Sequence, residues 1–141
     1  MPFFVVSGNH DGAERLEVGR SMLSQSGIHI WGSPHHALMP FEFEGTDGKV
    51  AICPMPFSEP RRIGEALFAD VEATNAESTD TEIADIVTQC YEQNCESALN
   101  LHNYDQMYQA WSDHLYKQVP KGMRSIAISH AFVMGGEVGG S

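Results

Sequence analysis

Short apolar runs and helical spacings of apolar residues divide the chain into alternating elements, and this pattern predicts a mixed α/β protein. The run Phe3–Val6 predicts a buried strand that ends at a polar turn. Residues 28–32 predict a second short strand. Between them, residues 13–26 predict one helix that ends at Gly27, a typical residue after a helix C-terminus. Its inner stripe is predicted to be Leu16, Met22 and Leu23.

The next part of the chain predicts a hairpin and then a change to helix. Residues 38–43 are predicted to pair with residues 49–53 across a loop that contains Asp47-Gly48, a strong turn signal. The proline-rich residues 54–60 predict irregular structure. A short helix is expected over 61–69, and the polar residues 71–78 are expected to form a loose connection.

Two helices and a strand are predicted for the second half. Residues 79–99 begin with the spacing of a capping box and continue with apolar residues three and four apart. Residues 104–119 predict another helix, which ends before Pro120. Arg124–Ser129 predicts a second buried strand, followed by His130. The apolar stripe of the later helix is Tyr104, Met107, Tyr108, Trp111 and Leu115.

Charge and cysteine content narrow the class of protein. The net charge of −11 is accounted for by residues 63–116, which contain 11 acidic residues and no Lys or Arg. Such a block repels a phosphate backbone, so we expect it not to contact nucleic acid. No apolar run approaches the roughly 18 residues needed to span a bilayer, and no signal peptide is visible. Three cysteines without a C-x-x-C pair favour a reducing cytoplasm and buried, unpaired thiols.

The SGNHDG motif at residues 7–12 is the strongest chemical feature. It places an amide, an imidazole and a carboxylate on Asn9, His10 and Asp11, directly after a predicted strand. Asn, Asp and Gly are also ordinary turn residues, so the motif alone leaves both interpretations open. His130 follows the other predicted strand in the same way. Because sites in open α/β sheets form at the carboxyl ends of strands, we expect His10 and His130 to meet at one sheet edge.

The other candidate groups favour structural or solvated roles. His29 alternates with isoleucines on a strand, and His35 and His36 are adjacent in a loop, where neighbouring side chains diverge. His102 and His114 lie in predicted helices, and Arg61 and Arg62 open one. The tyrosine-containing stripe of residues 104–119 is typical of a helix core rather than of a platform for nucleobases.

Three segments resemble one family of proteins. The GNHD tetrapeptide resembles the motif of calcineurin-like metallophosphoesterases. The segments ICPMPFSEP at residues 52–60 and SHAFVMGGE at residues 129–137 resemble those of the SbcD family of bacterial DNA repair exonuclease subunits. The order and spacing of the three segments point to SbcD. The implied fold is α/β, a partial calcineurin-like sandwich with a β-sheet core and flanking helices, in which residues 1–141 form a single incomplete nuclease domain with an acidic helical segment at about 79–119.

The resemblance also implies roles for four residues. Asn9 and His130 would be ligands of one metal in a two-metal site, with manganese as the expected ion and magnesium as the alternative. His10 would contact the scissile phosphate and stabilise or protonate the leaving oxygen, and Asp11 would orient His10. Two such metals activate water and hold the oxygens of a phosphodiester.

The implied function is metal-dependent hydrolysis of DNA. The family acts as a double-strand exonuclease and hairpin endonuclease with an SbcC-type ATPase partner, and forms homodimers within a heterotetramer. Its D-x-H, G-D and G-H-x-H segments are expected before Met1 and after Ser141, so we expect an internal piece that is nearly inactive alone. The alternatives are another calcineurin-like phosphodiesterase and a remnant without chemistry.

Overall fold

The computed structural model describes residues 2–77, 101 and 103–131. Its elements form a mixed α/β structure with two small sheets and a few helices. In chain order they are β1 (Phe3–Val6), α1 (Ala13–Leu16), α2 (Arg20–Gln25), β2 (Ile28–Trp31), a 3₁₀ turn (Pro34–His36), β3 (Phe41–Gly45), β4 (Gly48–Met55), α3 (Pro60–Glu77), α4 (Tyr104–Gln118) and β5 (Arg124–Ser129). The predicted helix at 79–99 lies outside the described residues.

The two sheets combine parallel and antiparallel pairing. β1 and β2 are parallel, with Val6 opposite Trp31. β4 is the centre of a three-stranded sheet, in which it pairs antiparallel with β3 and parallel with β5. The register of the parallel pair places Met55 opposite Ser129, so β4 and β5 end together.

Ser7 connects the two sheets. Its N–H donates to the Trp31 carbonyl at 3.0 Å, which extends the β1–β2 pairing by one residue. Its hydroxyl donates to the Gly32 carbonyl at 2.9 Å. Its own carbonyl accepts from the N–H of Phe57, just beyond β4, at 2.8 Å. The carboxyl ends of β1, β2 and β4 therefore lie together.

Helices α3 and α4 cover a core that β4 and the segment after β2 complete. Trp111, Met107 and Leu115 of α4 are fully or almost fully buried. The indole Nε1 of Trp111 donates to the Ala37 carbonyl at 3.0 Å, and Gln118 Nε2 donates to the Leu38 carbonyl at 2.9 Å. The core cluster consists of Trp31, Ala37, Leu38, Ile52, Cys53, Met55, Ile63, Ala66, Met107, Trp111 and Leu115. Cys53 is an unpaired buried thiol, as expected.

The prediction of one helix over residues 13–26 is wrong, because the chain leaves the helix between α1 and α2. Gly19 adopts a left-handed conformation with φ of 79°, which only glycine adopts readily. The break lets Glu17, at the end of α1, turn its carboxylate back to β2. Met22, predicted to face inward, is 76% exposed. Gly27 has a positive φ, as expected after the helix.

The boundaries of the hairpin and of the proline-rich segment also differ from expectation. β3 and β4 are joined by Thr46 and Asp47 alone, with Gly45 opposite Gly48. β4 continues through Pro54, where irregular structure was predicted. The pairing with β3 ends at Ile52, so within the described chain Pro54 pairs with β5 alone. A proline, which has no N–H, is tolerated at such one-sided positions.

Two further predictions are corrected. α3 extends to Glu77, although residues 71–78 were predicted to be loose. Residues 65–77 contain neither Gly nor Pro and are rich in alanine, so nothing ends the helix earlier. The strands β1 and β5 were predicted to be buried, but Phe3 is 58% exposed and Ile126 is 52% exposed. In the described structure β5 is an edge strand that pairs with β4 only.

The described helices include none that is both long enough and apolar enough to cross a membrane. Helix α4, which buries Met107, Trp111 and Leu115, carries a polar face that includes Asp105, Asp113 and Lys117.

We predict that Trp111→Phe destabilises the protein by about 1–3 kcal/mol, because the buried carbonyl of Ala37 loses its donor and the smaller ring leaves a void. Urea unfolding followed by circular dichroism measures the change. Tyr116→Phe on the same helix is the control, since Tyr116 is 74% exposed. Equal urea midpoints for the Trp111 variant and the unchanged protein would show that the Trp111 side chain does not stabilise the fold in this way.

Candidate functional site

The candidate site lies where the carboxyl ends of the strands meet. The Phe57–Ser7 hydrogen bond brings the end of β1 against the segment after β4. The β4–β5 register then places the residues after β5 beside the same segment. The GNHD turn and His130 therefore come together from opposite ends of the chain, with Gly8 and Asn9 of the turn beside His130. The expected meeting of His10 itself with His130 stays a prediction.

The GNHD turn is closed by its own hydrogen bonds. The Asp11 N–H donates to the Gly8 carbonyl at 3.3 Å, and the Gly8 N–H donates to Asp11 Oδ2 at 2.7 Å. The second bond is short, as expected for a carboxylate acceptor. Asn9 and His10 are exposed at the tip of this turn. The observed partner of the Asp11 carboxylate is thus the turn backbone, and its orientation of His10 stays a prediction.

His130 packs directly on the backbone of Gly8. A Cβ atom added to Gly8 would lie 3.1 Å from His130 Nδ1 and 3.4 Å from Asp11 Oδ2. The first separation is closer than ordinary van der Waals contact, and the second is at its lower limit. The imidazole therefore occupies the space that a side chain at position 8 would need. Glycine at this position allows the close approach.

Two aromatic residues position His130. The Tyr108 hydroxyl donates to the His130 carbonyl at 2.8 Å. The ring of Phe57 meets the imidazole edge to face, with the centroids 6.1 Å apart at 85°. Burial raises the pKa of the Tyr108 hydroxyl above its ordinary value. The hydroxyl therefore stays protonated at neutral pH and remains a donor to this carbonyl.

A cavity of about 400 Å³ opens between the GNHD turn, β5 and the first turns of α4. Asn9 and His130 both line it, so the two predicted metal ligands share one concave surface. Its lining residues are Asn9, Phe57, Tyr104, Asp105, Tyr108, His130 and Ala131. A second cavity of about 360 Å³ lies on the other side of Asn9 and is lined by Asp11 and Arg62, among others. His10 lines neither of these two cavities.

Glu17 holds the helix that follows the GNHD turn against β2. Its Oε1 accepts from the N–H groups of Gly32 and Ser33 at 2.9 and 3.0 Å. Its Oε2 lies 2.7 Å from Nδ1 of His36, which therefore contacts a carboxylate rather than only solvent. A Cβ atom on Gly32 would lie 2.1 Å from the Ala13 carbonyl oxygen, so α1 can dock here only against glycine.

These contacts shift the pKa of the Glu17 carboxyl. Burial by itself raises the pKa, but the hydrogen bonds from Ser33, Gly32 and His36 outweigh it, and the net pKa is lower than the ordinary value. The ionised form is the one that accepts all three bonds. Glu17 thus stabilises the fold as a carboxylate.

The described residues supply only part of a metal site. Asn9 and His130 offer an amide oxygen and a ring nitrogen, both neutral donors that suit manganese when carboxylates accompany them. Within the described ranges, no group of three or more His, Cys, Asp or Glu side chains is arranged to hold a metal ion. The two donors therefore fit one side of a metal site and do not complete it.

The aromatic residues of this cavity were not among the predicted site residues. Tyr104 and Tyr108 were assigned to the core stripe of the helix. Tyr108 does pack against the core from a half-buried position, and its hydroxyl donates to the His130 carbonyl. Tyr104 lies seven residues before Trp111 and therefore on the same side of the helix, but it is the first residue of α4 and lines the cavity. The helical spacing gave no signal that separates Tyr104 from the buried residues of the stripe.

Comparison of the chain with known protein families, with curated proteins and with solved structures gives no match.

We predict that Glu17→Gln lowers the free energy of unfolding at pH 7 by about 1.5–3 kcal/mol, the range for hydrogen bonds to a charged group. The pKa of Glu17 is lower in the folded state, so its contribution is complete above the unfolded value near 4.5 and disappears as the pH falls through the folded value.

Urea unfolding at a series of pH values measures the difference between the variant and the unchanged protein. The difference should shrink as the pH falls below 4.5 and through the lower pKa of the folded state. Glu44→Gln is the matched control, because Glu44 is exposed on β3. A difference that does not vary with pH would contradict the role of the ionised carboxylate.

Gly8→Ala is expected to displace the His130 ring, because the added methyl group would lie 3.1 Å from Nδ1. Long-range ¹H–¹⁵N spectra of the histidine rings should show changed His130 signals. Gly12→Ala is the control, since a Cβ at position 12 meets only the flexible side chain of Arg15. Unchanged His130 signals in the Gly8 variant would show that the two segments do not touch.

Proposed function

We propose that this chain is part of a metal-dependent phosphodiesterase of the calcineurin-like class, related to the SbcD DNA nucleases. The observation that carries the proposal is the shared cavity of Asn9 and His130 at the carboxyl ends of β1 and β5. These are the two residues that the resemblance assigns to one metal, and they lie in segments at opposite ends of the chain. A chance match to either short motif gives no reason for them to converge.

In this proposal the chain contributes two neutral metal ligands, Asn9 and His130, and one residue that transfers a proton, His10. Asn9 and His130 would bind the metal from one side, and Tyr108 and Phe57 hold His130 in place for that purpose. The remaining donors, including carboxylates, would come from outside the described residues. A bound metal pair would supply an activated water and charge stabilisation for the phosphodiester.

His10 would act on the substrate rather than on the metal. It is exposed at the tip of a turn that Asp11 closes, so its imidazole is accessible to a phosphate held at the neighbouring donors. There it would hydrogen-bond a phosphate oxygen and donate the proton that the leaving oxygen needs. Asp11 would act on His10 indirectly, by fixing the turn backbone.

DNA is the proposed substrate, with an SbcC-type ATPase as the partner and a homodimer within a heterotetramer as the assembly. The fold that accompanies this proposal is a partial calcineurin-like sandwich. Asp113 of α4, which does not line the cavity, would face away from the DNA backbone, since like charges repel. A phosphodiesterase acting on nucleotides would share the GNHD turn and is the second candidate.

We predict that the 141-residue chain alone binds Mn²⁺ weakly and hydrolyses bis(p-nitrophenyl) phosphate slowly, because two neutral donors do not make a two-metal site. Loss of the free Mn²⁺ signal in electron paramagnetic resonance measures binding. Asn9→Ala and His130→Ala should each weaken it further. His35→Ala is the control, since His35 is exposed in the loop after β2.

Rapid hydrolysis that His10→Ala abolishes would contradict the expected incompleteness of the site. Binding that survives both ligand substitutions would contradict the proposed metal position. Sequencing the DNA on both sides of the reading frame separates the remaining alternatives. Upstream D-x-H and G-D segments with a downstream G-H-x-H segment support the nuclease proposal, and stop codons on both sides support a remnant without chemistry.

A further inference from the structure

One wall of the shared cavity consists of aromatic rings. Phe57 and Tyr104 lie in contact, with their ring centroids 6.3 Å apart and their planes inclined by 31°. Tyr108 adds a third ring, and its hydroxyl is already used by the His130 carbonyl. The surface that these residues present to the cavity is therefore mainly apolar.

Tyr104 is more exposed than packing of the core requires. Its side chain is 46% exposed, whereas the ridge of Met107, Trp111 and Leu115 on the same helix is buried. Asn103 caps this helix by accepting the Gln106 N–H at 2.9 Å, so the backbone under Tyr104 is fixed. The helix thus holds an aromatic face rigidly towards a cavity without burying it.

The polar residues of the cavity come from three segments of the chain. Asn9 belongs to the GNHD turn, His130 follows β5, and Asp105 lies in the first turn of α4. A ligand that fills this space needs a planar ring to stack on Tyr104 and N–H groups for the Asp105 carboxylate. It also needs an anionic group or a metal-bound group beside Asn9 and His130.

We propose that this cavity binds the nucleobase of a nucleotide, stacked on Tyr104 beside Phe57, with its phosphate directed to Asn9 and His130. A volume of about 400 Å³ is within the range of small-ligand pockets. Stacking on an aromatic side chain accepts every base, and a carboxylate at the edge favours bases that offer amino or imino N–H groups. The inference rests on the proposed function for the direction of the phosphate, but not for the base pocket itself.

Guanosine is the probe that tests the base pocket, because it carries a base with adjacent N–H donors and has no phosphate. Titration into the metal-free chain is followed by aromatic ¹H–¹³C spectra. We expect saturable shifts of the Tyr104 ring signals with guanosine and with guanosine 5′-monophosphate. Ribose 5-phosphate, which has no base, should leave them unchanged.

Tyr104→Ala should weaken guanosine binding about 5- to 150-fold, the effect of removing one stacked aromatic ring. Binding by this variant is followed by the shifts of the guanosine base protons. Tyr104→Phe keeps the ring and should bind guanosine about as well as the unchanged chain. Tyr116→Ala is the matched control, because Tyr116 is an exposed tyrosine of the same helix outside the cavity.

Two results would overturn the base pocket: no saturable guanosine binding, or equal guanosine affinity in the Tyr104→Ala variant. Either can be separated from failure of the phosphodiesterase proposal, because Mn²⁺ binding at Asn9 and His130 is measured without nucleoside. If guanosine does not bind but Mn²⁺ binding depends on these two residues, only the base pocket is disproved. If guanosine binds at Tyr104 but Mn²⁺ binding does not depend on Asn9 and His130, the metal assignment is disproved and the nucleobase site stands.

Discussion

Three hydrogen bonds of Ser7 hold the ends of the two sheets together. Its N–H, hydroxyl and carbonyl are bonded to Trp31, Gly32 and Phe57, and the residue is almost completely buried. Buried polar groups that lose their partners cost about 1–3 kcal/mol each, so the three bonds are strongly favoured as a set. They fix the end of β1 relative to β2 and to the end of β4. The parallel register of β4 and β5 carries that alignment on to His130.

Helix α4 contributes both to the stability of the core and to the geometry of the cavity. One ridge of the helix, which includes Trp111, fills the core and bonds to the loop after β2. The first turns of the helix line the cavity with Tyr104 and Tyr108, and the Tyr108 hydroxyl holds the carbonyl of His130. A rotation of the helix would therefore disturb both at once. The core packing is what keeps the aromatic wall at a fixed distance from the strand ends.

The apolar runs and helical spacings of the sequence predicted most of the helices and strands. Features that depend on contacts between distant residues could not be predicted from these patterns. The bounds of β1 and β5 followed from apolar runs. Their carboxyl ends were expected to meet at the edge of one sheet, whereas they belong to two sheets that the Phe57–Ser7 hydrogen bond joins. The break at Gly19 could not be predicted, because it depends on Glu17 reaching β2. The strand position of Pro54 depends on where β3 stops pairing. The cavity-facing role of Tyr104 depends on where along α4 the core begins, and a helical stripe alone does not specify this.

The contact between Gly8 and His130 has a consequence for the order in which the site can form. The two residues are separated by most of the chain, so closing the loop between them costs conformational entropy that only later packing recovers. The GNHD turn, by contrast, is closed by hydrogen bonds three residues apart and can form early. A chain that has made the turn but has not added β5 to the sheet therefore presents the motif without its histidine partner. The complete site is therefore present only after β5 has joined the sheet.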